Sequence, residues 1–499
     1  MPQRGCERTP LDERFGVNDA KPGPAEELDP LARFEVDDAI VRRTLAELGA
    51  RGADQAELFF QSSRSTSITY QDGIVSRADA SVDRGVGLRC VVGEQTGYAY
   101  TEELTAESMR AAAQAAASIA CGRGASPPRS ITRTPIAADR YPIEVPWRDV
   151  SIAAKLPILR RAAQLARAAD PSIVKVEVSW GDGESHVVIA DLEGRAIADA
   201  RPMTRMTITV TAEKGGKRQT NRANIAARRG LDFYTEERLR QVVQQAVDRT
   251  LVLFDARRPP AGELPVVLAA GASGILLHEA IGHGMEADYN RKRVSIYADM
   301  LGREVASPHV TIVDDGTLEH ERGALNIDDE GREAERTVLV ERGVLVGYMH
   351  DLMSARAYGV RPTGSGRRQS FRHPPLPRMR CTTMEPGPHT PDEIVRSVKR
   401  GVLAETFTNG QVQIGAGDYT FYIKNGWLIE DGRITAPIKD ANIIGTGPET
   451  LRRITMVGDD AKLDTGGWTC GKQGQSVPVS LGMPTVLVSH ATIGGESAS

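Results

Sequence analysis

The chain has 499 residues, with 40% apolar and 26% charged content and a net charge of −4. That is enough for two or three domains, in the composition range of globular proteins. The balance points to neither nucleic acid nor an anionic membrane as partner, and the basic pairs Arg228–Arg229, Arg257–Arg258 and Arg367–Arg368 are short enough to be solvated faces or linkers. No apolar run approaches the ~20 residues of a membrane span. Cys6, Cys90, Cys121, Cys381 and Cys470 are scattered and form no Cys-x-x-Cys pair. A disulfide framework or zinc ribbon is therefore not expected, and a reducing compartment is.

Residues 1–30, rich in Pro, Gly and charge, read as a flexible extension without the apolar core of a secretory signal. A cytoplasmic location is expected. "DPLARFEVDDAIVRRTLAELGA" then has helical spacing of its apolar residues. Two strands flank Asp72-Gly73, a hairpin turn pair. "GVGLRCVVGEQTGYAYT" continues the sheet, and "AESMRAAAQAAASIACG" reads as a helix ending near Gly122. After the break "SPPRSITRTP", a helix is expected over 152–169. An antiparallel meander follows through "TITVTAE", then an amphipathic helix, "TEERLRQVVQQAVDRTLVLF".

"DARRPPAG", Asp255 to Gly262, marks the main boundary, because two adjacent prolines cannot continue a helix. The expected organisation is an N-terminal α+β domain with an antiparallel sheet over 31–255. A strand-rich domain over 256–499 carries a helix with histidines, and one further helix, Pro391 to Arg400, interrupts its strands. "GVGLRC" and "GTGPET" lack a full nucleotide-loop pattern and read as turns.

The chemistry concentrates in "GILLHEAIGHGMEADYN", Gly274 to Asn290. His278, Glu279 and His283 resemble the His-Glu-x-x-His zinc motif, but the histidines are five apart instead of four. An α-helix advances about 100° per residue, so side chains five apart diverge by about 140° and cannot share one ion. A metal site therefore requires the helix to loosen, bulge or end between them. Gly282 and Gly284, on either side of His283, would supply the freedom. Otherwise the histidines are a chance cluster, packed or exposed. A third ligand is also needed. Glu286 and Asp288 are near enough to ligate or to orient a histidine. Cys470, in the Gly-rich "TGGWTCGKQGQSVPVSLG", offers a thiolate, and on residue type alone it stands level with Glu286.

"LLHEAIGHGMEAD", "VDDGTLEHERGALNIDDEG", "GYMHD", "PTGSGRRQSFRHPPLPRM", "MVGDDAKLD" and "CGKQGQSVPVSLGMPT" run in order through most of residues 264–495. Together they resemble the TldD-type subunits of the TldD/TldE (PmbA) protease family. The resemblance implies zinc held by His278, His283 and Cys470, with Glu279 as catalytic carboxylate. It also implies a TldE/PmbA-like partner subunit, an unfolded or extended peptide as substrate, and roles in modified-peptide maturation and in degrading labile small proteins. Extended peptides are commonly gripped at a sheet edge, for which "NGQVQIGAGDYTFYI" and the loop before "GSGRRQS" are candidates. Arg367, Arg368, His373 and Tyr289 are candidate oxyanion donors, each with a structural role as the alternative. The rival readings are a non-catalytic peptide-binding or regulatory protein that modulates a partner such as a topoisomerase, and an amidase of small molecules.

Overall fold

The computed structural model describes residues 29–119, 124–413 and 415–495. Most of the expected extension, Cys6, Cys121 and the helix end near Gly122 lie outside the described residues.

The fold is α+β and rich in strands, as the sequence indicates. The first sheet has seven strands. Its spine is Gln95–Thr101, Ile74–Val92, Gln55–Gln71, Ile173–Asp191 and Arg195–Lys214, all antiparallel to their neighbours. Lys217–Ala227 pairs antiparallel with the last of these, and Thr132–Thr134 pairs parallel with it. Asp72 and Gly73 turn the first hairpin, both with positive φ.

Four of these strands run 17 to 20 residues and carry two helical layers side by side. Helices Asp38–Gly49 and Ala106–Ile119 cover one end through Leu58, Phe60, Val188 and Ala190. Helices Ile152–Ala169 and Glu236–Leu251 cover the other through Val176, Val178, Ile208 and Val210. Residues of opposite parity, Phe59, Val187, Ile189 and Ile197, pack on Ile327 and Phe371 of the C-terminal half. Burial on both faces explains why "LFF" and "VVIA" are apolar without alternation.

Two local expectations are corrected. The first helix starts at Asp38, not near Asp29. A short 3₁₀ turn, Ala32–Phe34, ends in left-handed Glu35, and the Asp37 carboxylate accepts from Ile40 N at 2.8 Å to start the true helix. The C-terminal half also has more than one interrupting helix. Besides Pro391–Ser397, with its Thr390–Glu393 capping box, Leu352–Tyr358 and Gly447–Arg452 are helical. With seven and six residues, these two are too short to show a period in sequence.

The C-terminal half contains two further seven-stranded sheets. One has Ile312–Asp315, Cys381–Met384 and Gln475–Met483 at its centre. The other nearly closes on itself: Arg400–Gln413 pairs with Gly262–Leu268 on one side and with Asp418–Glu430 on the other. The histidine segment runs through the core between these sheets. Ile275, Leu276, Leu277, Ala280 and Ile281 join Phe421, Ile443, Val479 and Leu481 in one cluster. Gly274 makes this approach possible, since a Cβ there would lie 2.4 Å from the Gly482 backbone nitrogen.

Candidate metal centre

The histidine segment starts as an α-helical turn, Gly274–Leu277, and loosens at once into a π-helical turn, His278–Gly282. The His283 N–H donates to the His278 carbonyl, an i→i+5 bond. That bond stacks residues five apart, where an α-helix would separate them by about 140°. The two imidazoles lie 5.1 Å apart and nearly perpendicular. A 3₁₀ turn, His283–Met285, ends the segment. Side chains take up backbone carbonyls along it: Tyr297 Oη donates to Ala280 O at 3.2 Å, and Ser295 Oγ and Asn290 Nδ2 each donate to Gly284 O at 2.7 Å.

The glycines act differently from the expectation. Gly282 has φ −56° and ψ −54°, ordinary helical values, and Gly284 is not in the left-handed region either. Their role is space. A Cβ on Gly282 would lie 2.0 Å from Met379 Sδ, and one on Gly284 would lie 2.5 Å from the Tyr297 ring.

Cys470 arrives on the strand Trp468–Lys472, hairpinned against Gln475–Met483. Its Sγ lies 3.4 Å from His283 Nε2, and the ligand atoms of His278, His283 and Cys470 all lie within 4.8 Å of one another. Sulfur and nitrogen bound tetrahedrally to one zinc would stand about 3.5 Å apart, given the usual bond lengths. His278 Nδ1 is buried without a hydrogen-bond partner among the described residues. The three side chains fit a zinc-sized ion. Burial would raise the Cys470 thiol, but the two imidazoles outweigh it and hold the thiol well below its ordinary range.

Glu286 is an orienting group in this arrangement rather than a fourth member. Its Oε2 lies 2.9 Å from His283 Nδ1, on the side of the ring away from Cys470. Carboxylates commonly fix metal-binding imidazoles in this way. Burial opposes the Glu286 charge, yet Lys472, His283 and Arg378 lower the carboxyl to about 2. Lys472 Nζ reaches Glu286 at 3.1 Å and Asp288 at 2.6 Å, and it sits 4.2 Å from the centre of the Tyr289 ring. Arg378 donates to Cys470 O at 2.7 Å. Lys472 and Arg378 are not singled out by sequence reasoning. Residues i and i+2 share a strand face, so the "CGK" spacing carries a signal for Lys472. Nothing local marks Arg378.

Glu279 is half-buried, and its side chain has no hydrogen bond or ion pair among the described residues. Of the candidate oxyanion donors, Arg367, Arg368 and His373 are engaged elsewhere, whereas the Tyr289 hydroxyl makes no hydrogen bond among the described residues. Arg367 bonds the Pro478 carbonyl at 2.6 Å, and Arg368 pairs with Glu57 and bonds Asp329 O. His373 meets Ser370 Oγ at 3.2 Å.

Family models match in three blocks: PmbA/TldA metallopeptidase domain 1 over residues 56–120, the central domain over 145–254 and the C-terminal domain over 261–495. The chain belongs to the TldD family of PmbA/TldD metallopeptidases. A TldD metalloprotease homologue of Haemophilus influenzae is 42% identical over 90% of this chain and 94% of its own length. A metalloprotease of Methanothermobacter thermautotrophicus is 30% identical over 93% of the chain and all of its own length. The TldD-family fold is shared with TldE from Thermococcus kodakarensis, with a TM-score of 0.70 and 18% identity over 91% of this chain and 99% of that one. A candidate DNA gyrase modulator from Thermotoga maritima shares it too, with a TM-score of 0.75 and 20% identity over 92% of this chain and 100% of that one. No helix among the described residues is long and apolar enough to cross a membrane.

Proposed function

We propose that this chain is the zinc-bearing catalytic subunit of a TldD/TldE-type pair that hydrolyses unfolded or extended peptides in the cytoplasm. The observation that carries the reading is the π turn at His278–Gly282, which brings two histidines five residues apart to one point with Cys470. His278, His283 and Cys470 are the ligands, within a metal-bearing unit over 256–499 that packs on an α+β unit over 31–255. Maturation of modified peptides and degradation of labile small proteins are the roles that fit.

When bound, zinc supplies Lewis acidity and lowers the pKa of a water. The protein's own groups do the rest. Glu279, whose side chain has no hydrogen bond or ion pair among the described residues, accepts a proton from the attacking water and returns it to the leaving amine. Glu286 holds His283 through Nδ1, leaving Nε2 for the metal. Lys472 keeps Glu286 ionised and in place. The π turn sets the angle between the imidazoles.

The test is cleavage of a disordered polypeptide by the full chain with a co-expressed TldE-like subunit, before and after chelation and zinc return. Cleavage that vanishes and returns with zinc supports the reading. A chain that binds the polypeptide and never cuts it would instead fit a regulatory protein.

A further inference from the structure

A second feature lies beside the ligand strand. Trp468 and Thr469, the two residues before Cys470, line a cavity of about 260 Å³ between the two halves of the chain. Arg205, Arg222, Arg249 and Lys424 also line it. None of these four side chains has a hydrogen bond or ion pair among the described residues, and Arg205 Nε is buried without a partner. The one acid in the wall, Asp464, is already engaged by Trp468 Nε1 and Gly466 N. Burial and Arg222 lower the Arg205 guanidinium. Arg322, which donates to Trp468 O at 3.0 Å, is lowered to about 10 by burial and by Arg205 and Arg228. A half-buried guanidinium with no anion beside it, as Arg205 is, costs stability unless an anion joins it.

The wall is built rather than incidental. Buried Asn425 donates to Arg249 O at 3.0 Å and accepts from Asn221 at 2.8 Å. This clamp ties helix Glu236–Leu251, strand Lys217–Ala227 and strand Asp418–Glu430 together around the cations. A cleft of about 780 Å³ shares Arg249, Ala272, Thr406, Asp464 and Thr465 with the cavity and extends it toward Asp248, Glu405 and Asp460, so the excess of cations is confined to the cavity itself. Among the described residues, strand Arg400–Gln413 pairs on one side only beyond Ala404, which leaves its other edge unpaired next to Thr406 and Phe407 of the cavity wall.

We infer that the cavity binds a carboxylate of the peptide substrate, either its C-terminal group or an acidic side chain, and so selects which peptide bond reaches the metal centre. Guanidinium groups match carboxylates in shape as well as charge. This inference rests on the proteolytic reading above.

The test uses the full chain as Glu279→Ala, zinc-loaded and paired with a TldE-like subunit, so that bound peptide is not cut. Anisotropy of labelled unstructured peptides compares a free C-terminus with an amide, and an Asp with an Asn. The expected result is binding at least about 10-fold tighter for one carboxylate-bearing form. Most of that difference should disappear in Arg222→Gln, an exposed site whose loss should not lower the melting temperature, and in Arg205→Gln. In wild-type turnover, Arg222→Gln should raise KM for the anionic peptide and leave kcat within about 2-fold. Loss on amidation assigns the C-terminus, and loss on Asp→Asn assigns the side chain. Equal binding of charged and neutral peptides overturns the inference, as does a short single-stranded oligonucleotide that binds more tightly than any peptide. Failure of the wild-type pair to cut any peptide defeats the proteolytic reading itself.

Discussion

Glu279 and Cys470 carry the sharpest consequences at the scale of single residues. Glu279→Ala should keep bound zinc and the melting temperature while peptide cleavage falls about 10²- to 10⁴-fold. Metal analysis beside a turnover assay reads both, and near wild-type turnover would sink the mechanism. Cys470→Ser should lose zinc far more than Cys90→Ser or Cys381→Ser. Burial pushes the Cys381 thiol up, with Glu321 and Asp314 adding to it, so that side chain stays a thiol and a poor ligand. Residue type alone left Cys470 and Glu286 level. Spatial order separates them: Glu286 takes His283 Nδ1, while Cys470 faces Nε2. Pairings across 187 residues of chain leave no periodic trace in sequence.

At the scale of elements, the spacing of two histidines was enough to require a bulge, because helical geometry forbids the alternative. The π turn meets that requirement. The reason for Gly282 was not legible, since it depends on Met379, a residue distant in sequence. A freely tolerated Gly-to-Ala change would be mildly stabilising. Here the added methyl meets sulfur in a fully buried core, so Gly282→Ala should cost about 1–3 kcal/mol and weaken zinc binding. Adding Met379→Ala should recover part of that loss. Denaturant titration of both single variants and the double variant measures the coupling, and strictly additive effects would remove Met379 from the explanation.

For the whole molecule, the two halves meet through strands buried on both faces and through a buried ionic seam. Arg89 pairs with Glu57 at 2.9 Å and donates to a Glu330 oxygen, and Arg368 joins Glu57 from the C-terminal half. The run "LFF" shows burial in sequence, but nothing local shows which acid meets which arginine. Burial pushes the Glu330 carboxyl up to about 8 despite Arg89, and Asp351, Glu57 and Asp328 add to the shift. A raised carboxyl keeps its proton in the folded chain after the unfolded chain has released it. Stability attributable to Glu330 therefore falls as pH rises from about 4.5 to about 8, by at most about 1.4 kcal/mol per pH unit. Glu330→Gln should flatten the decline of melting temperature over that window. An unchanged slope would place the proton elsewhere.

The proposed peptidase activity depends on one ion held by His278, His283 and Cys470. Its most direct measurement is the zinc content of the purified full chain beside those of His283→Ala and Cys470→Ser, each checked for fold by its melting profile. The expected result is one zinc per wild-type chain and a folded, zinc-depleted chain for each variant. A metal-free wild-type chain that takes up no added zinc, or full zinc retention in Cys470→Ser, would contradict it.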